Sequence, residues 1–244
     1  MGYIRSAIRN FISFTREFGF AGAIRIVINN RNRDLIKRLD INKYRHPFFY
    51  RQGTTDFPIL RIIIGQELVF KNFKDPRLII DAGANVGYVS VFYANRFPKS
   101  DVISVEMEDS NFKMLVQNTS GYENIKPIKA ALWNHSNGVT FGESDGKDSY
   151  NLIDQSDRRR TVTSVTLVEL LNKRHADIIK LDIEGAEVEV LDDMRKENIQ
   201  PNVLIVELHD RFRNGCSRAL EKYLDGRVFN WRRIYEYEVI DFRK

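Results

Sequence analysis

Leu78-Ile79-Ile80-Asp81-Ala82-Gly83-Ala84-Asn85-Val86-Gly87-Tyr88 is the stretch whose reading decides the fold. An apolar run of strand type ends in an acid, a turn with two glycines follows, and residues 88–97 read as a helix ended by Pro98. Gly83 and Gly87 permit backbone conformations closed to other residues and a close approach by a ligand. Such a turn leaves backbone N–H groups and a helix N-terminus facing one crevice. That crevice lies at the carboxyl end of a parallel strand, where open α/β sheets collect nucleotide-type ligands.

The spacing narrows the ligand. A dinucleotide fingerprint runs G-x-G-x-x-G, with an acid about 20 residues further on. Here the pattern is Asp81-x-Gly83-x-x-x-Gly87, one glycine short and with the acid ahead of the turn. A cofactor without pyrophosphate needs less of a phosphate cradle. S-adenosylmethionine has none, and its ammonium can meet an acid at a strand end. The motif therefore favours a methyl donor over a nicotinamide dinucleotide, and over a corner that binds nothing.

The 244 residues suit one domain of generous size, and 43% hydrophobic with 29% charged residues is ordinary for a globular protein. The net charge of +5 is a modest basic excess, read as solvated surface rather than a nucleic-acid footprint. A lone cysteine, Cys216, excludes an internal disulfide framework and suits a reducing cytosol, so a cytoplasmic location is expected. No apolar run approaches the ~18 residues of a membrane span. Residues 3–28 read as an amphipathic helix, with Ile4, Ile8, Phe11, Phe14 and Phe18 on one side and Arg5, Arg9, Arg16 and Arg25 interspersed. That stripe either packs on the domain, the favoured reading, or touches the inner face of an anionic membrane. The expected organisation is a basic helical extension over 1–45 and a catalytic domain over 46–244.

Along the chain, 29–45 reads as another short helix with its connection. Residues 46–58 read as strand, turn and helix start, and 59–70 as an apolar helix. Strands are expected at 101–106, 125–131, 177–182, 203–207 and 227–240, and helices at 110–118, 166–173, 186–194 and 216–225. Residues 132–165 read as a hairpin and loop, with 142–160 as an acceptor-side lid. Alternation of strands and helices argues a doubly wound, mostly parallel α/β sheet.

Three further groups carry chemistry. Glu106 ends the second strand, 25 residues beyond Asp81, where a carboxylate meets a cofactor ribose. The block Lys180-Leu181-Asp182-Ile183-Glu184-Gly185-Ala186-Glu187 delivers Asp182 and Glu184 at a strand end. Strand 203–207 adds Glu207 and, two residues on, His209, pointed the same way if the strand extends that far. An alcohol is a poor nucleophile until its proton is removed, and a carboxylate or His209 can act as that base. Alternatively, carboxylates such as Asp182 and Glu207 could hold Mg²⁺ or Ca²⁺, which would polarise the hydroxyl. Arg158-Arg159-Arg160 reads as a solvated run, with substrate phosphate binding the alternative. Trp231, Tyr235 and Tyr237 read as sheet packing, with sugar stacking the alternative.

Together these motifs resemble the FkbM family of S-adenosylmethionine-dependent methyltransferases over roughly residues 46–210. The resemblance rests on Arg51-x-Gly53-Thr54-x-Asp56, the Asp81–Gly87 block, Glu106, Ala130-Ala131-Leu132 and the Lys180–Glu187 block. It implies a seven-stranded Rossmann-like methyltransferase sheet and O-methylation of sugar hydroxyls in polysaccharides, glycolipids or secondary metabolites. By the same resemblance, Asp81, Gly83, Asn85 and Gly87 line the donor's methionyl end, and Asp182 and Glu184 face the acceptor; Ala84, Tyr88 and Asp182 are further candidates for donor contact. Glu106 holds its ribose, and Ala130 and Ala131 lie near its adenine. With the residues of strand 203–207 added, the expected catalytic set is Asp182, Glu184 and His209, and Arg51, Asp56, Glu184 and Glu207 are expected on the acceptor side. The chain departs from the pattern at Met107, where many members have proline, and at Val168, where a Thr-Leu-Asp element has its acid.

The expected partner is a sugar-containing small molecule or lipid-linked glycan. A homo-oligomer stays open, and no nucleic-acid partner is expected, because the Asn/Asp-Pro-Pro-aromatic motif of enzymes acting on DNA base amines is missing. The competing functions are an NAD-dependent Rossmann oxidoreductase and a non-catalytic donor-binding scaffold.

Overall fold

A computed structural model describes residues 2–29, 35–65, 73–143, 150–151 and 159–243. In chain order they form α1 (Gly2–Asn29), β1 (Ile36–Leu39), β2 (Phe48–Arg51), α2 (Asp56–Gly65), β3 (Leu78–Ala82), α3 (Tyr88–Arg96), β4 (Asp101–Glu106), α4 (Asp109–Thr119), β5 (Ile125–Lys129), β6 (Ala131–Leu132), β7 (Val139–Glu143), β8 (Tyr150–Asn151), β9 (Arg159–Val162), β10 (Ser164–Val165), α5 (Leu167–Leu171), β11 (Ile178–Leu181), α6 (Glu187–Lys196), β12 (Val203–Glu207), α7 (Cys216–Leu224), β13 (Asn230–Ile234) and β14 (Tyr237–Asp241).

Seven strands make one sheet in the order β13-β14-β12-β11-β3-β4-β5. The run from β5 to β12 is parallel, β14 is antiparallel to β12, and β13 is antiparallel to β14. The chain winds from β3 outward through β4 to β5, then returns to β11 on the other side of β3. The tips of β3 and β11 therefore flank a topological switch point, where such sheets bind ligands. This is the mostly parallel, doubly wound sheet that the sequence indicates.

Period-two alternation splits the sheet's side chains between two cores. Leu78, Ile80, Ile179 and Leu181 join α5, α6 and α7 on one face. Ile79 and Ile178 join α3 and α4 on the other, together with Phe18 and Ile26 of α1. On that second face alternation also places Asp81 and Lys180, which are register partners across β3 and β11. Ser104 of β4 is Asp81's partner on the far side. All three are buried, so one row of the sheet's interior is polar.

Three local expectations change. Residues 36–39, expected within a helical segment, form a strand antiparallel to β2, and their burial alternates with a period of two, not three or four. The single strand expected over 227–240 is a hairpin, turned at Tyr235 with φ 57°. Helix α1 is broken at Gly19 (φ 75°, ψ 169°). The expected helix beyond Gly65 and most of the expected lid fall on 66–72, 144–149 and 152–158, Arg158 included, which lie outside the described residues. Phe14 and Phe18 of the N-terminal stripe pack on Phe57 of α2, with Glu17 ion-paired to Arg61 beside them.

Candidate active site

The Asp81–Gly87 turn is held by its own backbone. Gly83 and Ala84 both donate to the carbonyl of Val105, Gly87 donates to that of Ala84, and the Asn85 N–H goes to Glu106 Oε2 at 2.9 Å. These four N–H groups are committed inside the protein and not presented to a ligand, contrary to the picture of a turn cradle. The glycines have internal reasons as well. A Cβ at Gly83 would stand 1.7 Å from the Asp182 carbonyl oxygen, and one at Gly87 would stand 2.7 Å from Leu115 Cδ1. Both residues have positive φ. Gly83 thus lets the tips of β3 and β11 abut.

Beneath that contact runs the buried polar row. Ser104 donates to Ser90, which donates to Asp81 Oδ2 at 2.5 Å. Lys180 Nζ lies 3.3 Å from Asp81 Oδ1, 3.2 Å from Asp182 Oδ2, and donates to the Gly83 carbonyl at 3.1 Å. Burial opposes the ammonium charge, but Asp182 and Asp81 outweigh it and hold Lys180 protonated. The charge of Asp81, expected to meet the donor's ammonium, is met here by Lys180. Lys180 had no role in the sequence reading. Its signal was a lysine inside an apolar strand, which only a buried counter-charge can accommodate.

On the β4 side, Glu106 is nearly fully buried and receives one backbone N–H on each carboxylate oxygen, from Asn85 and from Glu108 at 2.8 Å. Desolvation raises its pKa to about 7 against those hydrogen bonds. Each oxygen keeps capacity for a further donor, as a ribose diol would supply. Ala130 donates its N–H to the Glu106 carbonyl and so stands at the same strand end, while Ala131 donates to Thr163. Tyr88 points elsewhere: it is buried, with its hydroxyl on the Phe49 carbonyl. Arg51 and Asp56 bind each other through two side-chain hydrogen bonds, and Arg51 also reaches Ser110 and Asn111 of α4. Their charges clamp the β2–α2 turn onto the domain.

The second cluster forms at the tips of β11 and β12. Glu187, fully buried in the first turn of α6, accepts the N–H groups of Ile183 and Gly185 and the Nδ1 of His209 at 2.8 Å. Its carboxylate therefore folds the Asp182–Ala186 turn and fixes the imidazole. His209 Nε2 faces Glu207 Oε1 at 3.4 Å and Asp182 Oδ1 at 3.8 Å. Burial opposes charge on this ring, but Glu187 and Glu207 outweigh it and raise its pKa to about 10. At neutral pH His209 is an imidazolium among carboxylates, with no lone pair for a substrate proton. Tyr237, across from Glu207 on β14, donates to Asp182 Oδ2 at 3.3 Å. Trp231 and Tyr235 stay largely exposed on the hairpin.

Glu184 stands apart from these pairings. It has φ 53°, a left-handed conformation uncommon outside glycine, and among the described residues its buried Oε2 has no hydrogen-bond partner. Desolvation, aided by the charge of Asp182, raises its pKa to about 7. Asp182, Glu207 and His209 each offer a ligand atom, all within 4.8 Å of one another. With Glu187 orienting the ring, the two carboxylates suit an oxygen-seeking divalent cation, provided His209 gives up a proton.

Comparison with known proteins bears on the whole arrangement. The family model described as the methyltransferase FkbM domain matches residues 81–238, from the Asp81–Gly87 turn to the β14 hairpin. The chain belongs to the FkbM methyltransferase family. Methyltransferase 1 of Beauveria bassiana is 24% identical over 168 residues, covering 57% of this chain and 67% of the relative. Hexuronic acid methyltransferase AglP of Haloferax volcanii is 23% identical over 146 residues, covering 58% of this chain and 60% of the relative. The crystal structure of a methyltransferase FkbM from Methylobacillus flagellatus KT superposes with a TM-score of 0.50 at 15% identity, over 70% of this chain and 44% of that one. This FkbM chain thus spans about two thirds or less of the length of these relatives. At that identity the solved structure bears on the fold alone. The departure at Val168 falls on an exposed position of α5, whose start is fixed by a capping box between Thr166 and Glu169.

Proposed function

We propose that this chain is an S-adenosylmethionine-dependent O-methyltransferase acting on a sugar hydroxyl, with Glu184 as general base. The observation that carries the reading is Glu184 itself: a strained backbone, a buried carboxylate oxygen without a partner among the described residues, and a pKa near 7 beside the donor-side strand tip. Strain and an orphaned acceptor together cost several kcal/mol and persist at functional sites. A base poised near the working pH suits proton abstraction.

When bound, the donor supplies a methyl group on a sulfonium, a good leaving group. Glu106 would hold the donor through hydrogen bonds from its ribose hydroxyls. Glu184 would take the acceptor's hydroxyl proton and hold it on its carboxylate, which makes the hydroxyl oxygen nucleophilic enough to accept the methyl group a bound donor would supply. Lys180 and His209 hold Asp182 and Glu207 in place and offset the negative charge that would otherwise keep Glu184 protonated. A sugar acceptor is supported by the name of the Haloferax relative, carried over as a proposal. A glycan on lipid or nucleotide diphosphate, handled in the cytoplasm, is the form we propose. Residues 1–45 serve as an extension docked on a catalytic domain, 46–244.

A second reading rests on the Asp182, Glu207 and His209 grouping. There Mg²⁺ or Ca²⁺ would lower the hydroxyl's pKa, and activity would vanish in EDTA and return with the ion.

Glu184→Gln tests the first reading. It keeps size and donor affinity but loses about 10²–10⁴-fold in kcat. Wild-type rate should rise as pH passes about 7 and the variant's residual rate should not. A variant with full activity removes Glu184 from the chemistry.

A further inference from the structure

The turn that follows β12 places a cation at the mouth of the acidic cluster. Arg211 lies four residues beyond Glu207, and its Nη2 stands 3.9 Å from Glu207 Oε1. That is an ion-pair distance, too long for a hydrogen bond. Among the described residues this is the guanidinium's one ion pair, and the side chain is 68% exposed. Its N–H donors are therefore open to a ligand. Other arginines at this end of the chain are committed, Arg213 to Glu189 and the Gly185 carbonyl, and Arg243 to Asp241.

The side chain is nonetheless held in place. Its guanidinium lies over the Phe212 ring, 4.6 Å from the centroid, and Phe212 stacks on His209 with centroids 5.6 Å apart and planes 10° apart. The turn beneath is fixed as well. Phe212 and Arg213 both donate their N–H to the His209 carbonyl, at 2.9 and 3.0 Å, and His209 is anchored on Glu187. One chain of contacts thus runs from buried Glu187 to the exposed guanidinium. Such pre-ordering reduces the freedom lost when a ligand binds.

The charges around it narrow that ligand. Desolvation, Asp182 and Glu207 push the Glu184 carboxyl up, while His209 and Arg211 pull it down, so Arg211 stands close to the proposed base. His209 and Lys180 are buried and committed to the site's own carboxylates. Of these three cations, only Arg211 is open to an incoming molecule. A guanidinium binds carboxylate or phosphate through paired N–H donors. Asp182, Glu184 and Glu207 would repel the same anion, so a charged acceptor depends on this cation and a neutral one does not.

We infer that Arg211 binds an anionic group, carboxylate or phosphate, on the acceptor sugar, and so selects a charged sugar over a neutral one. The inference rests on the acceptor site proposed above and names the charge of its substrate.

The test is ligand-observed NMR titration of the full chain, saturated with S-adenosylhomocysteine, with glucuronate, glucose 1-phosphate and glucose as probes. The better of the two charged sugars should bind about fivefold or more tighter than glucose, the upper end for a partly exposed charge pair, and the gap should narrow as salt rises. Which of the two binds better tells carboxylate from phosphate. Arg211→Gln should bring that sugar to within about twofold of glucose and leave glucose unchanged. Arg211→Lys, which keeps the charge without the fork, should keep part of the gap. Arg218→Gln, an equal loss of charge at an exposed position of α7, should keep all of it. Equal affinity of the wild type for the three sugars, binding of none, or a gap that survives Arg211→Gln overturns the inference. So does an equal loss in Arg218→Gln. S-adenosylhomocysteine affinity and the rate of Glu184→Gln test the underlying reading separately: their failure removes the acceptor site, whereas failure of the sugar comparison alone removes only Arg211 from it.

Discussion

Lys180→Met puts the buried polar row to a quantitative test. Methionine keeps most of the lysine's volume and removes only the ammonium. Lys180 is 2% exposed, and its partner Asp81 is 0% exposed. Loss of the cation leaves the Asp81 carboxylate with Ser90 as its one hydrogen-bond donor, while Asp182, a quarter exposed, can be rehydrated. Most of the cost therefore comes from Asp81. Removing one partner of a buried ion pair destabilises by about 3–5 kcal/mol. For a chain of this size each kcal/mol lowers Tm by about 2–4 °C, so the expected drop is roughly 6–20 °C in calorimetry or thermal denaturation. Adding Asp81→Asn to the Lys180→Met variant removes the stranded charge while the new side-chain oxygen still accepts from Ser90. The double variant should recover about 1–3 kcal/mol as a coupling energy. A single Lys180→Met variant within about 1 kcal/mol of wild type, or strictly additive losses in the double variant, would refute the claim that Lys180 neutralises Asp81.

Gly83→Ala should fail to give soluble protein, because the added Cβ meets the Asp182 carbonyl oxygen at 1.7 Å and φ is +72°; expression and far-UV circular dichroism decide it. His209 binds its proton more tightly folded than unfolded, with a folded pKa of about 10. Its stabilising contribution is complete below about 6.5 and declines as pH rises through 10, so urea midpoints should fall over that interval and His209→Gln should flatten the fall. Glu106→Ala should weaken S-adenosylhomocysteine binding by about tenfold or more while leaving the Glu184 titration in place, as isothermal titration can measure.

Much of this arrangement was legible because it is local. The Asp81–Gly87 turn and the Lys180–Glu187 block are contiguous, and strand, acid and glycine sit side by side in the text. What escaped depends on register. Lys180 meets Asp81 only because β11 returns beside β3, and Tyr237 meets Asp182 only through β14 pairing with β12. The turn's N–H groups read as open to a ligand because Val105 and Glu106, which take three of them, lie on the neighbouring strand. Glu187 carries no role in the sequence reading, because its carboxylate closes the turn before it only once α6 is formed. His209 looked like a base because sequence shows its neighbours but not how many carboxylates surround it.

The most direct measurement is isothermal titration of the full chain with S-adenosylhomocysteine, run in parallel on Glu106→Ala and Glu184→Gln. If the strand tips of β3, β4 and β11 hold the donor as proposed, binding should show a dissociation constant on the order of 1 μM, about −8 kcal/mol, undiminished in Glu184→Gln and weakened in Glu106→Ala. No heat at millimolar ligand, or binding indifferent to Glu106, would contradict the account.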